Sequence, residues 1–421
     1  MDTSKLPAPL ASLLMAAGIL VAINSQHGVS DERAQPAQPL KLDPLTVAPP
    51  APTGSWKASA KAEDVGMSPE LLRLAEKAVD TQVQLGAFPG AALAIGRADR
   101  IVVKEGIGKV GWDETKVNPD ATVYDIASLT KVVGTTAAAM LLAEDGRLDL
   151  DAPVARYLPT FTGGNKGAVT IRHLLAHTAG LPAGVTITAK TPDAALAQVI
   201  ATPQKWRAGE RVEYSDVGFV VLWAAMERAA GEPLAPMLER RIYEPLGMHA
   251  TSYGPIDPCD ACAPTMIQGG VTIRGRVHDP IANKLGGISG NAGLFSTGHD
   301  LGRFAAMLAN RGELDGVRIF KESTVRQFGE RQAGTGNRGL GWEAPDPKGF
   351  GAAGLRISSK AFGHTGFTGT SLWVDPDRRT WVVLLANRTF EPRAPNQIQA
   401  TRRQVHDRVA DATDLASSIR Q

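Results

Sequence analysis

The sequence has only two cysteines and no long run of basic residues. Lysine and arginine (45) nearly balance aspartate and glutamate (43), which leaves a net charge of +2. A chain without a basic patch lacks the electrostatic footprint of nucleic-acid-binding proteins, so we expect no nucleic acid partner. A hydrophobic content of 43% in 421 residues is enough for a substantial core. The length fits two or three domains, or one large enzyme with a subdomain.

The two cysteines, Cys259 and Cys262, lie together in "DPCDACAPT". A C-x-x-C pair can be redox-active, can form a local disulfide or can supply half of a zinc site. The sequence has no second C-x-x-C, and the proline-rich surroundings do not begin a helix as a thioredoxin-like motif would. We therefore expect a local disulfide in an exported protein, or two unreactive thiols, and no metal site.

The N-terminal segment differs from the rest of the chain. Lys5 precedes the apolar run "LPAPLASLLMAAGILVAI", and a polar stretch follows it. This order is typical of a secretory signal peptide or an uncleaved membrane anchor. We assign residues 1–24 to that segment, 25–58 to a proline-rich linker and 59–421 to the folded domain. The protein is expected to be exported, either periplasmic or anchored to the outer face of the inner membrane.

The order of strands and helices predicts an α+β fold. The folded part begins near Ser68, which can cap a helix that has Pro69 at its first position. Hairpin patterns occur near both ends of this domain, in "GAALAIGRADRIVVKEGIG" and "TSLWVDPDRRTWVVLLANR". Between them we predict helices over 128–145, 170–178, 192–201, 216–230 and 233–246. The simplest closure joins the hairpins in one antiparallel sheet, with residues from about 127 to 285 as a helical insertion.

Three common functional motifs are absent or incomplete. The G-x-G-x-x-G match at 106–111 is not followed by a helix, so it predicts a glycine-rich strand rather than a dinucleotide site. His173 and His177 are four residues apart but lack the glutamate of a metalloprotease, and we interpret both as structural. The sequence has no G-x-S-x-G nucleophile motif. We therefore expect no cofactor and no metal.

An S-x-x-K pattern, Ser128 and Lys131, lies in "YDIASLTKVV" at the start of a helix that is apolar nearly all round. Positions three apart share a helix face, so the lysine can reach the serine hydroxyl. Burial and the positive end of the helix both disfavour a charged lysine, so we expect a depressed pKa for Lys131. Such a lysine can help to deprotonate the serine. The alternative is a plain N-cap serine with the lysine extended toward solvent.

Two later segments favour catalysis over the N-cap alternative. In "EYSDVGF", Tyr214 directly precedes a helix, and in "FGHTGFTGTSLWVD" a His-Thr-Gly sequence lies on a strand. Serine with lysine, then tyrosine, then a basic residue with Thr-Gly is the order of the penicillin-recognising serine enzymes. The chain resembles the serine β-lactamase and penicillin-binding-protein family, in its class C β-lactamase and esterase-like branch. The resemblance covers roughly residues 65 to 390 and includes "GRLDLDAPVARYLP", "IRHLLAHTAGL", "PLGM" and "RGRVHDPIANKLGGISGNAGLFSTGHDLGRF".

The resemblance implies a β-lactamase/transpeptidase-like fold, an antiparallel sheet flanked by helices beside an all-helical domain. It implies that Ser128 is the acylated nucleophile, Lys131 its proton partner and Tyr214 the general base. The backbone N–H groups of Ser128 and Phe367 would form the oxyanion hole. The substrate-binding residues would be Asp216, His364, Thr365, Gly366 and Phe367.

Two positions depart from the family pattern. Asp216 stands where the family often has the asparagine of Tyr-x-Asn, and a carboxylate cannot donate a hydrogen bond to a substrate. His364 replaces the lysine of Lys-Thr-Gly. With an ordinary pKa near 6.5, we expect it to change charge between about pH 8 and 5.5 and to attract a carboxylate only when protonated. The alternative is a strand histidine whose ring bonds the neighbouring structure. Both departures point away from an efficient β-lactamase, toward an esterase or a peptidase for D-amino-acid peptides.

The function predicted from the sequence is an exported serine hydrolase that forms an acyl-enzyme on Ser128. Its substrates would be esters or D-amino-acid peptide amides, either small molecules or cell-wall peptides. One alternative is a true class C-like β-lactamase. An alternative of another class is a non-catalytic sensor or binding module for cell-wall peptides or β-lactams. Membrane association would come from the N-terminal segment if it is not cleaved.

Overall fold

The computed structural model describes residues 60–112 and 115–419. The predicted signal or anchor segment, 1–24, and the linker, 25–58, lie outside the described residues. Within the described part, no helix combines the length and the apolar character that crossing a membrane requires. Of the two alternatives expected for the cysteines, a local disulfide or two unreactive thiols, the structure has the disulfide, which joins Cys259 to Cys262.

The described residues form ten α-helices and twelve strands. The helices are α1 (Pro69–Gln84), α2 (Ala137–Glu144), α3 (Ile171–Leu175), α4 (Pro192–Ala201), α5 (Asp216–Ala230), α6 (Leu234–Leu238), α7 (Pro280–Lys284), α8 (Gly298–Ala309), α9 (Glu322–Gly329) and α10 (Ile398–Ile419). The strands are β1 (Gly90–Arg97), β2 (Arg100–Gly108), β3 (Tyr124–Asp125), β4 (Ser252–Tyr253), β5 (Met266–Gln268), β6 (Val271–Ile273), β7 (Leu294–Ser296), β8 (Glu313–Leu314), β9 (Val317–Arg318), β10 (Phe362–Thr365), β11 (Ser371–Asp375) and β12 (Thr380–Ala386).

A five-stranded antiparallel sheet has the order β10-β11-β12-β1-β2. Its centre is the pairing of β1 with β12, where Leu93 lies opposite Leu384. This pairing joins the N-terminal hairpin β1–β2 to the C-terminal hairpin β11–β12. The prediction that the two hairpins share one sheet is confirmed, and β10 with its His-Thr-Gly sequence extends the sheet by one strand.

Helices cover both faces of this sheet. On one face α1 and α10 pack together, and Leu93 of β1 shares a buried cluster with Val405 of α10. On the other face α8 packs on the sheet, and Ala94 belongs to the same buried cluster as Phe304. Because both faces are covered, β1 is buried along nearly its whole length, and its side chains alternate between the two cores.

The predicted helix over 128–145 is helical but not uniformly α. It consists of a 3₁₀ turn (Ala127–Leu129), a π-helical segment (Lys131–Thr136) and α2. The π-helical segment is tied to a neighbouring backbone, since Lys131 donates to the carbonyl oxygen of Asn291 and Thr135 to that of Gly290. Short π segments of this kind occur often at functional sites.

The helix that follows Tyr214 agrees with its prediction, because α5 spans the expected residues. The Ser215 hydroxyl caps α5 by accepting a hydrogen bond from the Gly218 N–H at 2.9 Å. It also donates to the carbonyl oxygen of Pro182 at 2.6 Å. The helix predicted at 170–178 is shorter than expected and ends at Leu175. Two residues later, His177 has a φ of 58°, which α-helical geometry does not allow.

Candidate active site

Ser128 lies in a tight turn that directly follows β3. The Asp125 carboxylate accepts hydrogen bonds from the N–H of Ala127 at 2.8 Å and of His278 at 2.7 Å. Ala127 has a φ of 48°, in the left-handed region that a non-glycine residue adopts only when its surroundings enforce it. Burial raises the pKa of Asp125 to about 6. The turn therefore holds the Ser128 hydroxyl at the end of a short strand.

Lys131 is fully buried, and its ammonium group has an acceptor for each of its three protons. Nζ lies 3.1 Å from Ser128 Oγ, 2.5 Å from Asp216 Oδ1 and 2.9 Å from the carbonyl oxygen of Asn291. Burial by itself lowers the pKa of Lys131, but Asp216 and the Tyr214 oxygen outweigh it and raise the pKa above its ordinary value. The expected depressed pKa is therefore wrong, and Lys131 is a cation at working pH.

The Tyr214 hydroxyl lies 2.9 Å from Ser128 Oγ. Tyr214 immediately precedes the α5 cap, so the start of that helix sets its direction. The structure thus brings together the three predicted catalytic side chains, Ser128, Lys131 and Tyr214. Their catalytic roles stay predictions. Chemically, the serine oxygen lies within hydrogen-bond distance of both a phenolic oxygen and an ammonium group.

The loop after the His-Thr-Gly strand is hydrogen-bonded to the backbone that precedes Ser128. Thr368 donates to the carbonyl oxygen of Asp125 at 2.7 Å, and Thr370 donates to that of Ile126 at 2.9 Å. Gly366 packs so closely here that a Cβ would lie 2.5 Å from the Ile126 oxygen. Glycine is required at this position by the close approach of the two backbones.

Phe367, a predicted oxyanion-hole and substrate-binding residue, lies in this loop with its side chain 60% exposed. Its ring lies 5.5 Å from that of His278, and its carbonyl oxygen accepts from Arg388 Nε at 2.7 Å. Among the described residues, the Phe367 N–H has no hydrogen-bond acceptor. It is therefore free to bind a substrate oxygen. Thr365, the last residue of β10, is half-buried.

His364 is buried, and the protonation of its ring differs from the prediction. Its Nδ1 lies 2.7 Å from the carbonyl oxygen of Thr365. Since a carbonyl can only accept, Nδ1 carries the proton and Nε2 of the neutral ring has the lone pair. Burial, with the positive charges of Arg338 and Lys131, holds the pKa of His364 well below its ordinary value. The expected change of charge between pH 8 and 5.5 is therefore wrong.

Two further residues at the site were not predicted. The His177 ring lies 4.6 Å from the Tyr214 ring, and its Nδ1 accepts from the Ser215 N–H at 3.0 Å. The guanidinium carbon of Arg338 lies 5.4 Å from the centre of the Tyr214 ring. His173, by contrast, bonds to Thr170 in the cap of α3, as a structural histidine does. Within residues 60–112 and 115–419, no cluster of His, Cys, Asp or Glu is arranged to hold a metal ion.

Among curated proteins, this chain is similar to a putative D-alanyl-D-alanine carboxypeptidase of Salmonella typhimurium. The two are 29% identical over 375 residues, which cover 79% of this chain and 86% of the relative. Proteins of the same description from Salmonella agona and Salmonella newport match over the same length.

Solved structures show the same fold at low sequence identity. A penicillin-binding protein homologue from Caulobacter crescentus has a TM-score of 0.65 at 21% identity, over 82% of this chain and 98% of that one. EstCE1, a hydrolase with promiscuous acyltransferase activity, has a TM-score of 0.64 at 23% identity, over 83% and 99%. A class C β-lactamase from Rhodobacter sphaeroides has a TM-score of 0.62 at 21% identity, over 80% and 99%. The predicted β-lactamase/transpeptidase-like fold is confirmed.

The family model described as "Beta-lactamase" matches residues 75–406. This range contains both hairpins of the large sheet, the helical part between them and every predicted site residue. By that match, the protein belongs to the β-lactamase family of serine hydrolases.

Proposed function

We propose that the protein forms an acyl-enzyme on Ser128 and hydrolyses the terminal amide of D-amino-acid peptides, with ester hydrolysis at the same site. The observation that carries this proposal is the position of Ser128 Oγ, 2.9 Å from the Tyr214 hydroxyl and 3.1 Å from Lys131 Nζ. Relatives named putative D-alanyl-D-alanine carboxypeptidase support the choice of D-peptides.

In the proposed acylation, Ser128 Oγ attacks the substrate carbonyl while its proton passes to the Tyr214 oxygen, which acts as the general base. Tyr214 then returns the proton to the leaving amine or alcohol. The Lys131 ammonium stays charged and stabilises negative charge on both oxygens. The N–H groups of Ser128 and Phe367 would bind the carbonyl oxygen as it becomes negative. Water releases the acyl group by the same steps.

Asp216 makes efficient β-lactam hydrolysis the less favoured activity. Its Oδ1 is bound to Lys131, and a carboxylate offers no N–H donor for the acylamide side chain of a β-lactam. D-peptides and esters are therefore the substrates that we propose.

We further propose that the protein acts outside the cytoplasm, in the periplasm or on the outer face of the inner membrane. Lys5 and the apolar run after it support export. The disulfide between Cys259 and Cys262 supports an oxidising compartment. Either location gives the enzyme access to cell-wall peptides.

A turnover screen tests the proposed function. Wild type, Ser128→Ala and the control Ser323→Ala, an exposed serine on α9, are compared on three substrates: a p-nitrophenyl ester, nitrocefin and a peptide ending in D-Ala-D-Ala. We expect turnover of the peptide and the ester by wild type and by the control, at a kcat/KM well above that for nitrocefin. Ser128→Ala should turn over none of them. Preferred hydrolysis of nitrocefin would favour a β-lactamase, and binding without turnover would favour a sensor.

A further inference from the structure

Asn291 supplies one of the three acceptors of the Lys131 ammonium, and two neighbours fix the side chain of Asn291. Its backbone carbonyl oxygen lies 2.9 Å from Lys131 Nζ. Its Nδ2 donates to Asp279 Oδ1 at 2.9 Å, and its Oδ1 accepts from the Ser289 hydroxyl at 2.7 Å. A carboxylate can only accept, so these two bonds determine which way the amide points. Asn291 is fully buried, so the protein alone sets the orientation of its side chain.

The segment between α7 and Asn291 restrains that residue only weakly. Gly286 and Gly287 have φ values of 86° and 95°, and Gly290 directly precedes Asn291. Glycine allows more backbone conformations than any other residue, so the local sequence leaves Asn291 poorly fixed. Thr135 holds the Gly290 carbonyl oxygen from the helix side at 2.7 Å. The direction of the next carbonyl, that of Asn291, therefore depends on the bond from the Asn291 side chain to Asp279.

The residue before Asp279 is attached to the turn that carries the nucleophile. The His278 N–H donates to the Asp125 carboxylate at 2.7 Å, and the same carboxylate accepts from the Ala127 N–H at 2.8 Å. The contacts thus form a closed ring around the site. From Ser128 they run through Lys131, Asn291, Asp279, His278 and Asp125 back to the turn. In this ring, the bond between Asn291 and Asp279 joins the lysine side of the site to the nucleophile side.

We propose that Asp279 is a positioning residue of this site, which acts through Asn291 to hold the Lys131 ammonium beside Ser128. The inference rests on the proposed function and deepens it, because the ammonium is the group that stabilises the reacting oxygens in the proposed acylation. Among the described residues, Asp279 has no hydrogen bond to Ser128 or Lys131, so it affects their positions and not the chemistry directly.

Asp279 also caps α7, and two substitutions separate that role from positioning. Its Oδ1 accepts from the Ala282 N–H at 2.8 Å. Asp279→Ser keeps a good N-cap, but the shorter side chain does not reach Asn291. Asp279→Asn keeps an acceptor oxygen for both partners and removes only the charge. Asp193→Asn, an exposed position in the first turn of α4, is the control.

Turnover of the D-Ala-D-Ala peptide and of the p-nitrophenyl ester measures the effect. Asp279→Ser should lower kcat at least about tenfold, since a small displacement of a catalytic group can cost about a hundredfold. Its KM should change little, because Asp279 does not touch the substrate. Asp279→Asn should lose less than about threefold, because it keeps the hydrogen bonds. An equal kcat in Asp279→Ser and wild type, or an equal loss in both substitutions of Asp279, would overturn the inference.

A reversed pair gives a rescue experiment. Asn291→Asp keeps the shape of the side chain but sets two carboxylates against each other, so kcat should fall at least about tenfold. Adding Asp279→Asn restores a donor opposite an acceptor and should recover most of this loss. Thermal unfolding of each variant shows that it is folded in the assay. A folded double variant no more active than Asn291→Asp would contradict the inference; if Asn291→Asp does not fold, the comparison of Asp279→Ser with Asp279→Asn decides.

The titration of Lys131 tests the inference without turnover. NMR of lysine labelled at Cε follows it, with the signal identified by its absence in Lys131→Arg. The pKa of Lys131 in wild type lies above its ordinary value of 10.5. Losing a well-placed acceptor should lower this pKa in Asp279→Ser, and further than in Asp279→Asn. Asp216 and Tyr214, the ionisable groups that face Lys131, are the same in every variant.

The two measurements distinguish failure of this inference from failure of the proposed function. Turnover by wild type, with kcat and the Lys131 titration unchanged in Asp279→Ser, would overturn the inference alone. A lowered pKa of Lys131 in Asp279→Ser, with no turnover of either substrate by wild type, would overturn the proposed hydrolysis alone.

Discussion

Replacing Asp216 by asparagine removes the negative charge that lies 2.5 Å from a fully buried ammonium group. Lys131 would keep its hydrogen bonds to Ser128 and Asn291, and the asparagine oxygen can still accept the third. Breaking a buried ion pair destabilises a protein by about 3–5 kcal/mol. Asp216 is 25% exposed, and the asparagine oxygen still accepts a hydrogen bond from Lys131. We therefore expect a smaller decrease in the free energy of unfolding, about 2–3 kcal/mol at pH 7.

The pH dependence of this loss tests its cause. In wild type the pKa of Lys131 lies above its ordinary value of 10.5, so the stabilising charge is fully present below pH 10.5. Without Asp216, burial dominates and the pKa falls below that value. In the variant, folded Lys131 therefore loses its proton at a lower pH than unfolded Lys131 does. As a result, the variant's loss in free energy of unfolding relative to wild type shrinks as the pH rises from 7 to 10.

Urea unfolding of both proteins at pH 7 and pH 10 measures this effect. Asp151→Asn is the control, because Asp151 pairs with Arg172 at the similar distance of 2.6 Å but is 70% exposed. A surface pair of this kind contributes less than about 1 kcal/mol. A loss in Asp216→Asn no larger than that of the control, or an equal loss at pH 7 and pH 10, would refute the reasoning.

Four further outcomes are expected. Tyr214→Phe should lower kcat at least about a hundredfold, because the ring remains and the oxygen beside Ser128 is lost; near wild-type turnover would contradict the role of Tyr214. The ratio of kcat/KM for a carboxylate-bearing ester to that for a neutral ester should stay constant from pH 5.5 to 8, since His364 is neutral throughout; a ratio that rises as the pH falls would indicate that His364 gains a proton in this range. Asp216→Asn should increase nitrocefin turnover relative to ester turnover by adding an N–H donor, and a flat or falling ratio would count against this. Residues 1–60 fused to alkaline phosphatase should give active enzyme, whereas an inactive but stable fusion would argue against export.

The parts of the site that could be predicted from the sequence are those set by local geometry. Ser128 and Lys131 share a face because they are three residues apart at a helix start, and Tyr214 directly precedes a capped helix. The large sheet was predictable for the same reason, since each hairpin is a short alternating pattern. The two hairpins could be expected to join in one sheet because the backbone N–H and C=O groups of buried strands need hydrogen-bond partners.

The parts that could not be predicted depend on contacts between distant residues. The charge of Lys131 is set by Asp216, 85 positions later, and burial alone predicts the opposite direction for its pKa. Arg338 lies between α9 and β10 in a segment without periodic pattern, so nothing local marks it as a site residue. The protonation of His364 follows from a bond to its neighbour Thr365 and from burial, neither of which the sequence displays.

The most direct test of the central claim is intact-mass spectrometry of the protein after incubation with a β-lactam or phosphonate probe. Wild type should gain the mass of one acyl or phosphonyl group, and proteolysis should place it on the peptide that contains Ser128. Ser128→Ala should gain none, while Ser323→Ala should react as wild type does. An adduct on Ser128→Ala, or none on a wild type that turns over esters, would contradict catalysis through an acylated Ser128.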